Sequence, residues 1–171
     1  MGIILELARA KQKIIAQDAR IAELEGQIPA LVVPVTDLMM VSRSDFIAEM
    51  RKTNIEPISL TTPLDAKLSL TSKAELDRIA PELVYPADWY VAQIWDCDDY
   101  GIQAQCDAGH KFGVSGVRLV LGNMPLGYHG FAITMDKEGG IWWLESNAGF
   151  PYAGVWHKIG IRKYFPDKVF V

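Results

Sequence analysis

Asp136-Lys137-Glu138-Gly139-Gly140 reads as a turn, and the segments beside it, Tyr128 to Met135 and Ile141 to Asn147, alternate apolar and polar residues. Two alternating runs joined by such a turn form an antiparallel hairpin. A turn centred near Glu138 places Met135 opposite Ile141, His129 opposite Asn147 and Phe131 opposite Glu145. A shift of two residues pairs His129 with Glu145 instead. Side-chain parity is the same in both registers, so His129, Glu145 and Asn147 share one sheet face with Phe131, Ile133 and Trp143. The hairpin therefore brings an imidazole and two groups able to orient it together among apolar side chains.

Around the hairpin, Cys97 to His110 has an acidic start and few breakers, which predicts a helix; Val114 to Asn123 is β-rich, and Lys168 to Val171 adds an edge strand. The order predicts an α+β domain, a helix packed on an antiparallel sheet. Upstream, Ser44 caps a short helix through Arg51, and Ile55 to Leu64 is extended. Ser72-Lys73-Ala74-Glu75 is a capping box opening a helix that Pro81 closes. Leu7, Ile14, Ile21 and Ile28 recur every seven residues, with Ile3, Ala10, Gln17 and Leu24 in the complementary position, the pattern of a coiled-coil seam. Lys13 and Arg20 then face Asp18 and Glu25 of a parallel neighbour, which favours self-association through residues 3–28; an amphipathic helix lying on its own domain is the alternative. Gly26, Pro29 and Pro34 end that helix, and the linker Ala30 to Val35 is apolar enough to pack on something. The expected organisation is a coiled-coil helix at 1–28, a linker with short helices at 29–84 and the main domain at 85–171.

Composition narrows the function. Of 171 residues, 17 are Lys or Arg and 21 Asp or Glu, a net charge of -4 that argues against nucleic acid as the main partner. No apolar run reaches the length of a membrane span, and the first residues lack a basic leader and cleavage site, the expectation for a chain made in the cytoplasm without a signal peptide. Cys97 and Cys106 on one helix stand about 13 Å apart, too far for a disulfide.

All five Trp, both Cys and all three His fall after Tyr85. If the helix beginning at Cys97 packs on the face of His129, its sulfur meets the imidazole, giving nucleophile, base and orienter, with Glu145 or Asn147 as the third group. The plainer reading makes His129 a core histidine bonded to Glu145 and Cys97 a small buried hydrophobe. Gln93, four residues before Cys97, is positioned to donate to an oxyanion beside the Cys97 amide. Asp96, Asp98 and Asp99 crowd the thiol; one carboxylate at about 6 Å disfavours thiolate by about 3 kcal/mol at an effective dielectric of about 20. Either an imidazolium at His129 or a hard cation such as calcium on the three carboxylates would compensate, while the plainer role of the acids is to cap the helix. His110 sits about 20 Å along the helix, too far to be the base. Cys106 is expected to pack, His157 to lie in a loop at the surface or lining a ligand, and Tyr128 and Trp156 to line a cleft or the core. One of Trp142 and Trp143 must face away from the helix.

The string Tyr90-Val91-Ala92-Gln93-Ile94-Trp95-Asp96-Cys97-Asp98-Asp99-Tyr100, followed by Gly127-Tyr128-His129-Gly130-Phe131-Ala132 and Trp143-Leu144-Glu145, resembles the papain-like cysteine-protease domain at the C-terminus of the fungal Marasmius agglutinin and related domains of tailed phages. The resemblance covers about residues 85–171. It implies Cys97 as nucleophile, His129 as base, Glu145 as orienting group and calcium activation at Asp98 and Asp99, with Asp96 beside them. No lectin module precedes this segment, and the Gly and Ser that stand before the nucleophile in papain, with Trp after it, are absent.

Two readings follow. One is a papain-like cysteine hydrolase acting on a peptide-like substrate. The other is a non-catalytic phage structural or attachment protein, a virion component that oligomerises through its N-terminal coiled coil and binds a virion protein.

Overall fold

The computed structural model describes residue 17 and residues 32–58 and 65–171. The chain divides into two units, 1–32 and 33–171. The heptad segment lies outside the described residues.

The second unit is α+β. Its elements are β1 (Met39–Ser42), α1 (Arg43–Lys52), β2 (Glu56–Ile58), β3 (Lys67–Leu70), α2 (Lys73–Ile79), α3 (Cys97–Phe112), β4 (Arg118–Met124), β5 (Gly127–Met135), β6 (Ile141–Leu144), β7 (Trp156–Lys158) and β8 (Phe165–Phe170), with short 3-10 turns at Ala80–Leu83 and Ala87–Trp89. A six-stranded sheet runs β2-β8-β4-β5-β6-β7, and β1 pairs with β3 in a separate ribbon. The sheet is mixed: β2 lies parallel to β8 and the other pairs are antiparallel. The final strand is therefore interior, not the edge strand expected, because Glu56 to Ile58 covers its outer side.

Local chemistry sets the elements. Ser42, rather than Ser44, caps α1, its hydroxyl accepting from the Asp45 amide at 3.0 Å. Ser72 caps α2 by accepting from the Glu75 amide at 3.3 Å, but the Glu75 carboxylate turns outward to Arg78 instead of closing the box. In α3 the residues Tyr100, Ala104, Ala108 and Phe112 form one buried stripe, and the helix stops at Gly113, whose φ of 77° is a left-handed turn open to glycine at no steric cost. Val114 then donates to the Ala108 carbonyl at 2.9 Å, closing the terminus.

Met135 pairs with Ile141, Thr134 with Trp142, Ile133 with Trp143 and Ala132 with Leu144, the first of the two registers read from the turn. Each face of the sheet has its own core. Ala132, Leu144 and Trp156 pack with the α3 stripe, Val35, Leu76, Ile79 and Leu83. Phe131, Ile133, Trp143, Val120 and Val169 pack on the other face with Tyr164, Phe46, Met50, Leu68 and Leu70. Burying each such large apolar side chain contributes about 1.5–3 kcal/mol. So α3 covers the face opposite Phe131 and Trp143, which corrects the expectation that it packs on the face of His129. Trp143 is the tryptophan that faces away from the helix, and Trp142 packs beside α3's core with Lys73 over its ring at 4.6 Å.

Candidate functional site: a thiol, an imidazole and a buried carboxylate

The junction of α3 and β5 explains how Cys97 and His129 meet although α3 lies on the other face. β6 pairs with β5 only from Ala132 to Met135, so β5 is open beside Gly130 and His129. The first residues of α3 sit directly on Gly130: a Cβ there would stand 2.8 Å from Asp98 Cα and 3.0 Å from the Cys97 carbonyl carbon. Only glycine admits this approach. From it, the half-buried Cys97 reaches past the open edge to the imidazole.

His129 is buried, with 6% exposure, and its Nε2 bonds Glu145 Oε2 at 2.8 Å. Glu145, 1% exposed, is fully occupied: Oε2 also accepts from the Tyr164 hydroxyl at 3.1 Å and Oε1 from the Asn147 amide at 3.1 Å. A buried carboxylate holding three donors orients whatever donates to it. Burial pulls the His129 pKa down, but hydrogen bonding and charge from Cys97 and Glu145 outweigh it and push the group up to about 9. Phe150 lies 4.7 Å from the imidazole by ring centroids and Phe131 stacks at 6.1 Å. The arrangement holds a protonated imidazole next to a sulfur, with Nδ1 as the ring nitrogen Glu145 leaves open.

Asn147 does not orient the imidazole. Its Oδ1 accepts from the Gly149 amide at 2.8 Å, and its backbone bridges to Tyr85 as the chain leaves the ladder. Gln93 is exposed at the tip of the Val91 to Trp95 turn with φ 66°, and its backbone amide donates to Asp96 Oδ2 at 3.3 Å. Asp99 accepts from the Asp96 amide at 3.0 Å and serves the helix start. Asp96 and Asp98 hydrogen-bond each other, which lowers the Asp96 pKa and raises that of Asp98. Asp96, Cys97 and Asp98 each offer a ligand atom within 4.8 Å of one another. One sulfur and two carboxylates fall short of the six to eight oxygens calcium takes, and Asp99 is engaged elsewhere.

His110 and Cys106 are exposed on α3, so Cys106 does not pack as expected. His157 lies in β7 rather than a loop, its ring 4.6 Å from that of Trp143. Trp156 is core, donating Nε1 to the Leu76 carbonyl at 2.9 Å, whereas Tyr128 is exposed and bonds Asp167. Tyr164 and Phe150 were not among the expected site residues. Tyr164 lies in a loop without periodicity, and nothing in its spacing announces that it stacks on Trp143 at 4.0 Å and reaches Glu145.

Beside Tyr164 opens a cavity of about 460 Å³ lined by Met124, Leu126, Pro151, Tyr152, Arg162 and Lys163. Among the described residues no helix is long and apolar enough to cross a membrane.

No protein-family model matches this chain, and no curated protein matches it. Solved structures do. One is Polyporus squamosus lectin bound to the human-type influenza-binding epitope Neu5Aca2-6Galb1-4GlcNAc, at a TM-score of 0.55 and 11% identity, over 77% of this chain and 49% of that one. Another is a PSL1a-E64 complex, at a TM-score of 0.53 and 12% identity, over 77% and 51%. The chain spans about half the length of each, and at these identities the likeness is one of fold. The likeness to a fungal lectin stands as one of fold, and the cysteine-hydrolase expectation with its peptide-like substrate is corrected by it, since the matched structures are those of a lectin. The papain-like, phage and virion expectations are withdrawn with it, while the heptad segment on which the coiled coil and the homo-oligomer rest lies outside the described residues.

Proposed function

We propose that residues 33–171 form a carbohydrate-binding domain whose site is the cavity beside Tyr164. The observation that carries this reading is an open, ring-walled cavity next to a fixed polar cluster, on a backbone similar to that of a lectin. Sugars present apolar C–H faces that stack on aromatic rings and hydroxyls that need fixed partners. Tyr152, 43% exposed, offers such a ring, while Tyr164 is held by Glu145 and Trp143. Titration of the labelled chain with neutral and acidic oligosaccharides, followed by NMR, tests it. Saturable shifts centred on Tyr152 and Tyr164 are expected; no shifts at millimolar sugar would overturn the reading.

The thiol–imidazole pair favours a second reading of Cys97, His129 and Glu145, as a stoichiometric reactive thiol. Cys97 attacks an electrophilic carbon beside the His129 imidazolium, whose charge favours the sulfur's loss of its proton to solvent, and Glu145 keeps the ring oriented. With iodoacetamide, the S–C bond forms as C–I breaks and iodide leaves. Cys97 should alkylate at least tenfold faster than the exposed Cys106 at pH 7. Equal rates, read by peptide mass spectrometry, would refute this reading.

A further inference from the structure

The wall of the cavity is the outer end of a chain of ring contacts that starts in the core. Tyr164 stacks on Trp143 at 4.0 Å, Trp143 lies 4.6 Å from the His157 ring, and His157 meets Tyr152 edge to face at 5.8 Å. The Arg162 guanidinium ends the chain, 4.7 Å over the Tyr152 ring. Tyr164, Tyr152 and Arg162 line the cavity, and His157 stands behind Tyr152, joining it to Trp143.

Of these rings the imidazole is the one that takes a proton near neutral pH, and its surroundings suit the neutral form. It hydrogen-bonds the Tyr152 backbone, while Nε2 is closed to solvent with no partner among the described residues. The charges that reach it are both cations: Arg162, on the segment after β7, and Lys73, at the start of α2, which Asp77 partly offsets. Behind Trp143, burial and the Glu145 charge hold Tyr164 well above the usual phenol range, so that ring stays neutral. Burial and the cations together hold the His157 pKa below its ordinary 6.5. A proton added at Nε2 makes a buried charged donor without an acceptor, a loss that stacking on Trp143 does not offset.

The segments on either side of β7 are shaped to move once released. Tyr152, Arg162 and Lys163 hold left-handed φ of 76°, 65° and 59°, costly for residues with a Cβ and relieved when their side chains come free. Gly154 and Gly160, at 79° and 80°, supply hinges just outside the strand.

We infer that His157 is an acid-sensitive latch on the cavity: a proton taken from solvent expels its ring from the contact with Trp143 and Tyr152, frees the segments carrying Tyr152 and Arg162, and unmakes the wall. The latch does not depend on what the cavity holds; only its effect on binding rests on the carbohydrate reading above. The neutral, latched form has its full stability above pH 6.5 and loses it as pH falls through the lower folded value. No Asp or Glu lines the cavity, and His129, with a pKa of about 9, keeps its proton across that range, so neither accounts for a change there.

The test follows the full chain by NMR from pH 7.5 to pH 5 without sugar, then measures binding of the neutral disaccharide Galβ1-4GlcNAc at both ends of the range. As the His157 ring titrates, its NOEs to Trp143 and Tyr152 should fade, and the Tyr152 and Arg162 signals should move with the same midpoint, below 6.5. Affinity at pH 5 should be at least about threefold weaker, since each pH unit below the midpoint weights the released form about tenfold more. His157→Phe keeps the ring contacts without a titratable nitrogen, and His157→Gln serves where phenylalanine disturbs the packing; either should hold the Tyr152 signals and the affinity constant across the range. NOEs that persist around a protonated ring, a ring that stays neutral to pH 5, or a pH dependence that survives in both variants overturns the latch. Equal affinity at the two pH values in the unmodified chain overturns it too and leaves the carbohydrate reading standing. Absence of binding at pH 7.5 counts against the carbohydrate reading alone, and the sugar-free NOEs then decide the latch.

Discussion

His129 and Glu145 are joined at 2.8 Å inside the protein, sixteen residues apart in sequence, and this bond ties the open end of β5 to the segment leaving β6. It also sets a pH dependence. The His129 pKa is about 9 in the folded chain against an ordinary 6.5, so its contribution to stability is fully present below pH 6.5 and is lost as pH rises through 9. The contribution is roughly 3 kcal/mol, from about 1.4 kcal/mol per unit. Urea unfolding at pH 6 and pH 9.5 should show the decline. In Glu145→Gln the imidazole loses its charged partner, and NMR titration should find the His129 pKa at least one unit lower. An unchanged value would mean that Cys97 alone holds the proton.

Much of this relationship is legible in the sequence. The turn at Asp136 to Gly140 and the alternation beside it fix the pairing of Met135 with Ile141, and parity then puts His129 and Glu145 on one face. The covering of each face is not legible, because alternation marks two faces without saying which receives α3. Nor is the interior place of β8, which depends on Glu56 pairing with Lys168 across most of the chain. Tyr164 is invisible for a related reason: its role arises only when a loop distant from the hairpin folds back over Trp143.

Gly130 is where α3 and β5 touch. Alanine there would place a methyl group 2.8 Å from Asp98 Cα and 2.9 Å from its amide nitrogen, both backbone atoms that cannot swing aside. Gly130→Ala should cost about 1–3 kcal/mol in chemical denaturation, the range for overpacking. It should also lift Cys97 off the imidazole. Iodoacetamide labelling of Cys97 in the variant, compared with Cys106, measures that separation; a ratio equal to wild type would show that α3 keeps its seat.

Asp96 and Asp98 share a hydrogen bond that needs one proton between two carboxyl groups, which is why the Asp98 pKa is raised and the Asp96 pKa lowered. An amide donates without that proton. Asp98→Asn should therefore stabilise the chain by about 0.5 kcal/mol at pH 7, the scale of a solvent-screened charge interaction. The gain should vanish in acid, where Asp98 itself carries the proton. Thermal unfolding of both chains at pH 7 and pH 4 checks the sign, and a loss at pH 7 would show that the Asp98 charge serves the helix start instead.

Tyr164 connects the buried cluster to the cavity, with its ring stacked on Trp143 and its hydroxyl on Glu145 at 3.1 Å. Tyr164→Phe keeps the stack and removes one of three donors from a buried carboxylate. A hydrogen bond to a charged group is worth about 1.5–3 kcal/mol, so the unfolding midpoint in urea should fall accordingly with its slope unchanged. With one competitor gone, Glu145 bears more fully on the imidazole, and the His129 pKa should rise above about 9 rather than fall. Stability and imidazole pKa thus move in opposite directions in this variant and in the same direction in Glu145→Gln. Measuring both quantities in both chains separates the hydroxyl's contribution from that of the carboxylate, and a lower His129 pKa in Tyr164→Phe would mean that the hydroxyl holds Glu145 in place.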